Sequence, residues 1–289
     1  MKKTHYLIIS LLTFTAFINA QQEIKLYPNG PKENNGITEK EVMQRGDFVI
    51  NISEPRMYYY AAPKEKATGT AVLICPGGGY MGVSVIKEGE EIAKWFNELG
   101  VTAFVLYYRM PNGHTTIPLT DAQTALKIIQ KRANEWNINK EKIGIMGFSA
   151  GGHLASTVGT HFKTKSQRPA FMILGYPVVT MKKELTHGGS RKNLIGENPT
   201  PAVEKLYSNE LQVTKNTPPT FIVHNRDDRV VPIENSIQIY KALLDKKVVA
   251  ELDTFAVGGH GFGMRKHGIP VDNWPELLKT WLKNNKLIN

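Results

Sequence analysis

Ile143-Gly144-Ile145-Met146-Gly147-Phe148-Ser149-Ala150-Gly151-Gly152 decides how the rest of the chain is read. Four residues of strand character lead into a glycine, a serine and two further glycines, and then into a helix-like run that reaches His161. A strand that turns abruptly into a helix leaves no room for side chains two positions to either side of the turning residue, where Gly147 and Gly151 stand. The turn exposes the Ser149 hydroxyl, and the helix behind it sets a positive dipole end where negative charge would develop. G-x-S-x-G alone occurs by chance in glycine-rich chains; between this strand and this helix it reads as a nucleophile turn.

A serine hydroxyl is a weak nucleophile until a base takes its proton, and the base needs a carboxylate to orient it. Both follow later in the chain. The strand-like Phe221–His224 runs into Asn225-Arg226-Asp227-Asp228, and Ala250–Ala256 runs into Val257-Gly258-Gly259-His260-Gly261. Serine, acid, histidine is the chain order of α/β-hydrolase triads. Each candidate follows a strand, so parallel strands would bring all of them to one sheet edge. His260, set between glycines, is the expected base, and position alone leaves Asp227 and Asp228 both open as the acid. The remaining histidines fit less well. His153 lies within the helix after the turn, where it packs or hydrogen-bonds. His224 closes a strand and is expected to order its own loop. His114 precedes a helix, and His161, His187 and His267 follow no strand end.

Acyl transfer also needs N–H donors aimed at the tetrahedral oxyanion. Cys75-Pro76-Gly77-Gly78-Gly79-Tyr80, after the strand at Ala71, resembles the H-G-G-G loops of esterases. Gly78 and Gly79, with Ala150 after the nucleophile, are the expected donors. Pro76 takes the place of the usual histidine, so the loop's anchor must come from elsewhere. Tyr80 and Met81 are expected to crowd the acyl side of the pocket. Gly77 to Gly82 also satisfies G-x-G-x-x-G, but a dinucleotide loop requires a helix opening at the motif and an acidic residue closing the next strand. That strand ends Leu106-Tyr107-Tyr108-Arg109, with no carboxylate.

Outward from the turn, short β-branched runs alternate with helix-period segments. Strands are expected at Phe48–Ile52, Met57–Ala61, Ala71–Cys75, Thr102–Tyr107, Ile143–Met146, Phe171–Gly175, Phe221–His224 and Ala250–Ala256. Helices are expected at Gly89–Leu99, Pro118–Glu135, Gly151–His161, Pro232–Asp245 and Trp274–Asn284. The alternation implies an α/β fold: a mostly parallel central sheet with helices on both faces. The first two strands have no helix between them and read as an antiparallel, hairpin-like start. Between Tyr176-Pro177 and Phe221 about forty residues break the rhythm. A stretch of that length at a strand's C-terminal end reads as a small cap over the site, about residues 178–218, inserted into one domain spanning 21–289.

Composition narrows the function classes. Lys and Arg number 36 against 26 Asp and Glu, a formal charge of +10, but the excess is spread along the chain without a basic block or a nucleic-acid motif. The single cysteine, Cys75, excludes an internal disulfide and any multi-cysteine zinc site. No H-E-x-x-H, P-loop or EF-hand pattern occurs, so neither metal nor cofactor is expected. Met1-Lys2-Lys3, an apolar core from Tyr6 to Ile18, and Asn19-Ala20 before Gln21 make a secretory signal peptide over residues 1–20, too short to span a bilayer. The protein is therefore expected to be exported to the periplasm or medium, with no membrane span in its mature form.

With these features together, the chain resembles bacterial α/β-hydrolases of the acetylxylan-esterase-like and feruloyl-esterase-like carbohydrate esterase group. The resemblance rests on Pro76 to Tyr80, Tyr108-Arg109, Pro118-Leu119-Thr120-Asp121-Ala122, Gly147 to His153, Asp227-Asp228 with Val231-Pro232, and Gly259-His260-Gly261. It implies a triad of Ser149, Asp228 and His260, with Asp228 chosen over its neighbour. It also implies hydrolysis of carboxylic esters, above all acetyl groups on plant polysaccharides such as xylan or on their oligosaccharides. Similar motifs occur in hydrolases of aryl or lipid esters, formamides and peptides, so another substrate class is the alternative.

Overall fold

A computed structural model describes residues 22–289; the expected signal peptide lies outside them. The main sheet has eight strands: β1 (Gln22–Lys25), β4 (Arg56–Tyr60), β5 (Ala71–Cys75), β7 (Thr102–Tyr107), β8 (Ile143–Phe148), β9 (Met172–Gly175), β10 (Thr220–Asn225) and β11 (Ala250–Phe255). Their spatial order is β1-β4-β7-β5-β8-β9-β10-β11. The pairs from β7 to β11 are parallel, and β1 and β4 add an antiparallel margin.

Parallel strands buried on both faces read as continuous apolar runs because successive side chains leave on opposite sides. Along Ala71–Cys75 every residue is buried. Leu73 joins one core, with Phe104, Ile145 and Leu174 from neighbouring strands. Val72 and Ile74 join the other, with Val105, Met146 and Ile173. The first core is closed by α2 (Ile117–Arg132), α3 (Ser149–Thr160) and α6 (Glu234–Asp245) through Leu126, Leu154 and Ile239. The second is closed by α1 (Glu91–Glu98) and α7 (Trp274–Asn284) through Phe96, Trp274 and Trp281. Cys75 ends its strand fully buried, and burial raises its thiol pKa far above the ordinary value. Among the described residues no helix is long and apolar enough to cross a membrane.

The expected early hairpin does not form. Phe48–Ile50, strand β3, pairs instead with β2 (Val42–Gln44) and β6 (Gly82–Ser84) in a separate three-stranded antiparallel sheet, while β4 joins the main sheet. Asn51 has a left-handed φ of 59°, and Pro55 lacks the N–H of a ladder residue; together they redirect the chain between the two sheets. Two other boundaries also differ. α3 begins at Ser149 itself, and α1 is preceded by a π-helical turn over Ile86–Glu90.

Between β9 and β10 the irregular stretch carries α4 (Gly188–Ile195) and α5 (Pro201–Tyr207), joined by short turns. His187 and Thr200 cap these helices with their own side chains, and Pro201 takes the first helical position of α5.

Candidate active site

The loops after β5, β8, β9, β10 and β11 leave the sheet at its C-terminal edge, where α/β folds place ligands. Ser149 makes the sharpest turn, at a left-handed φ of 51° between strand and helix. A Cβ at Gly147 would overlap the Gly151 carbonyl, and one at Gly151 would overlap the Cys75 carbonyl, so backbone fills the space that side chains would need.

Ser149, His260 and Asp228 form one hydrogen-bonded chain. Ser149 Oγ lies 2.9 Å from His260 Nε2, and His260 Nδ1 lies 2.6 Å from Asp228 Oδ2. The partners fix the tautomer. Asp228 can only accept, so Nδ1 carries the proton and Nε2 is free to take the one from Ser149. Asp228 is enclosed on every side. Its Oδ1 accepts from the amides of Val230 (2.8 Å) and Val231 (2.9 Å), and its Oδ2 accepts from both His260 and His224 Nε2 (3.1 Å). Burial opposes its ionisation, but the hydrogen bonds from His224, His260 and Val231 outweigh it and hold the carboxyl well below its usual range.

Asp227 points elsewhere. It is exposed and accepts from the amides of Gly258 (3.2 Å) and Gly259 (2.9 Å), so it braces the His260 loop. Asn225 holds the same loop from the Gly259 carbonyl at 2.9 Å.

In the glycine loop, Gly77 N–H is already bonded to Glu88 Oε2 at 2.8 Å. Gly78 has a φ of 145°, and a Cβ there would overlap the Gly82 carbonyl. The N–H groups of Gly78 and Gly79 have no acceptor among the described residues. Ala150 is the second residue of α3, so its N–H is one of those that a helix start leaves unpaired. The loop's anchors, which Pro76 cannot supply, are the Tyr108 hydroxyl on the Pro76 carbonyl (2.8 Å), Glu88 on Gly77, and Asn193 Nδ2 of α4 on the Gly79 carbonyl (2.8 Å).

The expectation that Tyr80 crowds the acyl side is corrected. Its ring is 2% exposed, and its hydroxyl donates to His153 Nδ1 at 2.8 Å, while His153 Nε2 donates to the Tyr207 carbonyl at 2.8 Å. Tyr80 therefore ties the glycine loop to α3 and α5, and burial lowers the His153 pKa to about 4. Met81 lies at the protein surface with its side chain open to solvent. Against Gly79 stands His187, whose Cε1 lies 3.7 Å from where a Gly79 Cβ would be.

His224, expected to order its own loop, does so from Nε2 onto Asp228 Oδ2 and the Val231 carbonyl, and thereby loads the carboxylate that His260 uses. Sequence reasoning passed over three further participants. Asn225 and Asn193 look like ordinary loop and helix polars. Tyr176, at a strand end with a left-handed φ of 35°, places its ring edge-to-face against His260 at 4.8 Å. Arg109 is buried and turned away, its guanidinium paired with Asp121 at 2.7 Å; the Gly77–Gly82 stretch runs into β6, not a helix. Among the described residues no three His, Cys, Asp or Glu side chains are grouped to hold a metal ion.

A serine turn on a mostly parallel sheet, with histidine and carboxylate delivered by the last two strands, defines an α/β-hydrolase fold. The chain belongs to the BD-FAE family, whose model matches residues 57–243. It is 36% identical over 242 residues to an acetylxylan esterase of Xylanibacter ruminicola, covering 82% of this chain and 50% of that one. It is 39% identical over 204 residues to an endo-1,4-beta-xylanase B of Butyrivibrio fibrisolvens, covering 66% and 32% respectively. The chain thus spans half or less of the length of these two relatives. The crystal structure of an acetyl ester-xyloside bifunctional hydrolase from Caldicellulosiruptor lactoaceticus superposes with a TM-score of 0.80 at 34% identity, covering 93% of this chain and 97% of that one.

Proposed function

We propose that the protein is an exported serine esterase that removes acyl groups, above all acetyl, from plant polysaccharides or oligosaccharides such as acetylated xylan. The observation that carries the reading is the Ser149–His260–Asp228 chain at 2.9 and 2.6 Å beside the amides of Gly78 and Gly79, which have no acceptor among the described residues, and of Ala150 at the start of α3. The substrate class is supported by the likeness to the acetylxylan esterase and to the acetyl ester-xyloside hydrolase, the latter along nearly the whole of both chains.

In this reading Ser149 Oγ attacks the ester carbonyl as His260 Nε2 takes its proton. Asp228 holds the tautomer and stabilises the imidazolium without itself becoming protonated. The oxyanion forms against the amides of Gly78, Gly79 and Ala150. Collapse releases the sugar alcohol, which takes its proton from His260, and water then clears the acyl-enzyme by the same route. The stretch 178–218 acts as a cap inserted into one domain, with His187 and Asn193 narrowing the space at Gly79.

Acetate release from acetylated xylan and its oligosaccharides is expected from the wild type and absent from Ser149→Ala. A fluorophosphonate is expected to label Ser149 alone. Turnover of aryl or lipid esters, formamides or peptides with none of acetylated carbohydrate would move the enzyme to the other substrate class. Export is tested by N-terminal sequencing of the protein recovered from periplasm and medium, expected to begin at Gln21.

A further inference from the structure

A second carboxylate lies under the site. Glu88 is 3% exposed, in the π-helical turn that precedes α1. Its Oε2 accepts from Gly77 N–H at 2.8 Å, and its Oε1 accepts from the Tyr176 hydroxyl at 2.9 Å. Tyr176 Oη in turn accepts from Gly263 N–H at 3.2 Å, three residues beyond His260. The Tyr176 hydroxyl donates to Oε1 and the Gly77 amide can only donate to Oε2, so both carboxylate oxygens act as acceptors and the ionised form fits.

Gly77 lies packed between Glu88 and the nucleophile turn. A Cβ built on Gly77 would lie 2.7 Å from Glu88 Oε2, 2.7 Å from the Phe148 carbonyl and 2.9 Å from Ser149 Cβ. The same turn abuts the His260 loop, since Lys87 O would stand 2.7 Å from a Cβ on Gly263. One buried carboxylate thus joins the loop of the oxyanion donors to the loop of the base, at a π-turn of the kind often found at functional sites.

We propose that Glu88 is a positioning residue for the ester hydrolysis. Its ionised carboxylate sets the Gly77 loop and, through Tyr176, the His260 loop in one register, and its charge favours the imidazolium that His260 becomes. The proposal rests on the reading of Ser149 and His260 as nucleophile and base. Burial pushes the Glu88 carboxyl above its ordinary value, against the pull of Lys87, Tyr176, the Gly77 amide and His260. Tyr108 also faces Glu88 across the core, and His260 is faced by Asp228, Tyr176 and His187 besides Glu88. Acid therefore weakens the site by neutralising the carboxylate that holds the His260 loop.

The test uses the full-length enzyme and 4-nitrophenyl acetate, reading kcat, KM and the acid limb of kcat/KM for wild type, Glu88→Gln, Tyr176→Phe and Ser149→Ala. Glu88→Gln is expected to lose on the order of tenfold to a hundredfold in kcat, with KM changed less than about threefold. Its acid limb is expected to move down by about 0.5 pH unit or more, because a negative charge that supported the imidazolium is gone. Tyr176→Phe keeps the charge but removes a donor from it, so its acid limb is expected to move up while kcat falls. A kcat within about threefold of wild type, or a lowered kcat with an unmoved limb in both variants, would overturn the proposal. If Glu88→Gln fails to fold by circular dichroism, the Tyr176→Phe limb decides by its direction. Ser149→Ala separates the two levels: an inactive Ser149→Ala beside unmoved limbs refutes Glu88 alone, whereas an active one refutes the reading beneath it.

Discussion

Replacing Asp228 by asparagine tests the site most sharply, because the structure dictates which way the amide must turn. Asp228 Oδ1 receives two backbone amides, from Val230 and Val231, and Oδ2 receives two imidazole N–H groups, from His260 and His224. An asparagine has one oxygen and one NH2 to place in these two positions. The backbone amides can only donate, whereas an imidazole can move its proton to the other nitrogen. The oxygen therefore faces Val230 and Val231, and the NH2 faces His260 Nδ1. His260 must then accept at Nδ1 and carry its proton on Nε2, where it can no longer take the one from Ser149. In the best-studied triad this inversion costs about ten-thousandfold in kcat, or about 5.5 kcal/mol. We expect at least a loss of about a hundredfold here, with the fold retained by circular dichroism. Asp227→Asn keeps one of the two acceptors that hold Gly258 and Gly259, so its kcat should change less than about tenfold. The assay is initial-rate release of acetate or 4-nitrophenol by both variants. A folded Asp228→Asn with a tenth of wild-type kcat, or the reverse ranking of the two variants, would show that Asp228 does not set the tautomer.

Ser149→Ala should lose at least about a thousandfold in kcat while the melting temperature stays close to wild type. His153, buried with its pKa lowered to about 4, binds its proton later than the unfolded chain does. Stability should therefore fall as pH drops from about 6.5 to 4, by on the order of 3 kcal/mol from this group, and melts of His153→Gln over that range should show a shallower slope. Gly151→Ala should fail to give soluble active enzyme, because its Cβ meets the Cys75 and Pro76 carbonyls rather than a yielding side chain. With α4 tied to Gly79 by Asn193, acetyl esters should turn over faster than butyryl or octanoyl esters, and Asn193→Ala should narrow that ratio; faster octanoyl turnover by the wild type would contradict the tight acyl side.

What the sequence disclosed depended on how local the cause was. Gly147 and Gly151 are forced by the turn at Ser149, and the apolar runs of β5, β7 and β8 follow from burial on both faces, so these could be read directly. Phe48–Ile50 could not be placed, because its partner Gly82–Ser84 lies beyond two strands of the main sheet. Tyr80 beside three glycines looked like a pocket wall. Its true partner, His153, comes 73 residues later on the far side of the nucleophile turn. Glu88 was the least legible. Lys87-Glu88-Gly89-Glu90-Glu91 has the composition of a solvated helix start, and only the packing of Gly77 and Tyr176 around one of its three carboxylates distinguishes that one.

His260 follows β11, the outermost strand of the main sheet, which pairs on one side with β10 and keeps every residue at least partly exposed. Ser149, by contrast, follows β8, whose residues are all buried. Local opening free energies are lowest where buried apolar contacts are fewest. Loss of this margin would carry away His260, the proposed base, while the helices and the remaining strands persist. Heating should therefore extinguish turnover several degrees before the far-ultraviolet signal collapses, and should do so reversibly. Amide exchange along Ala250–Phe255 would run ahead of the rest of the sheet, so the working temperature limit would be set by one margin of the fold rather than by its core.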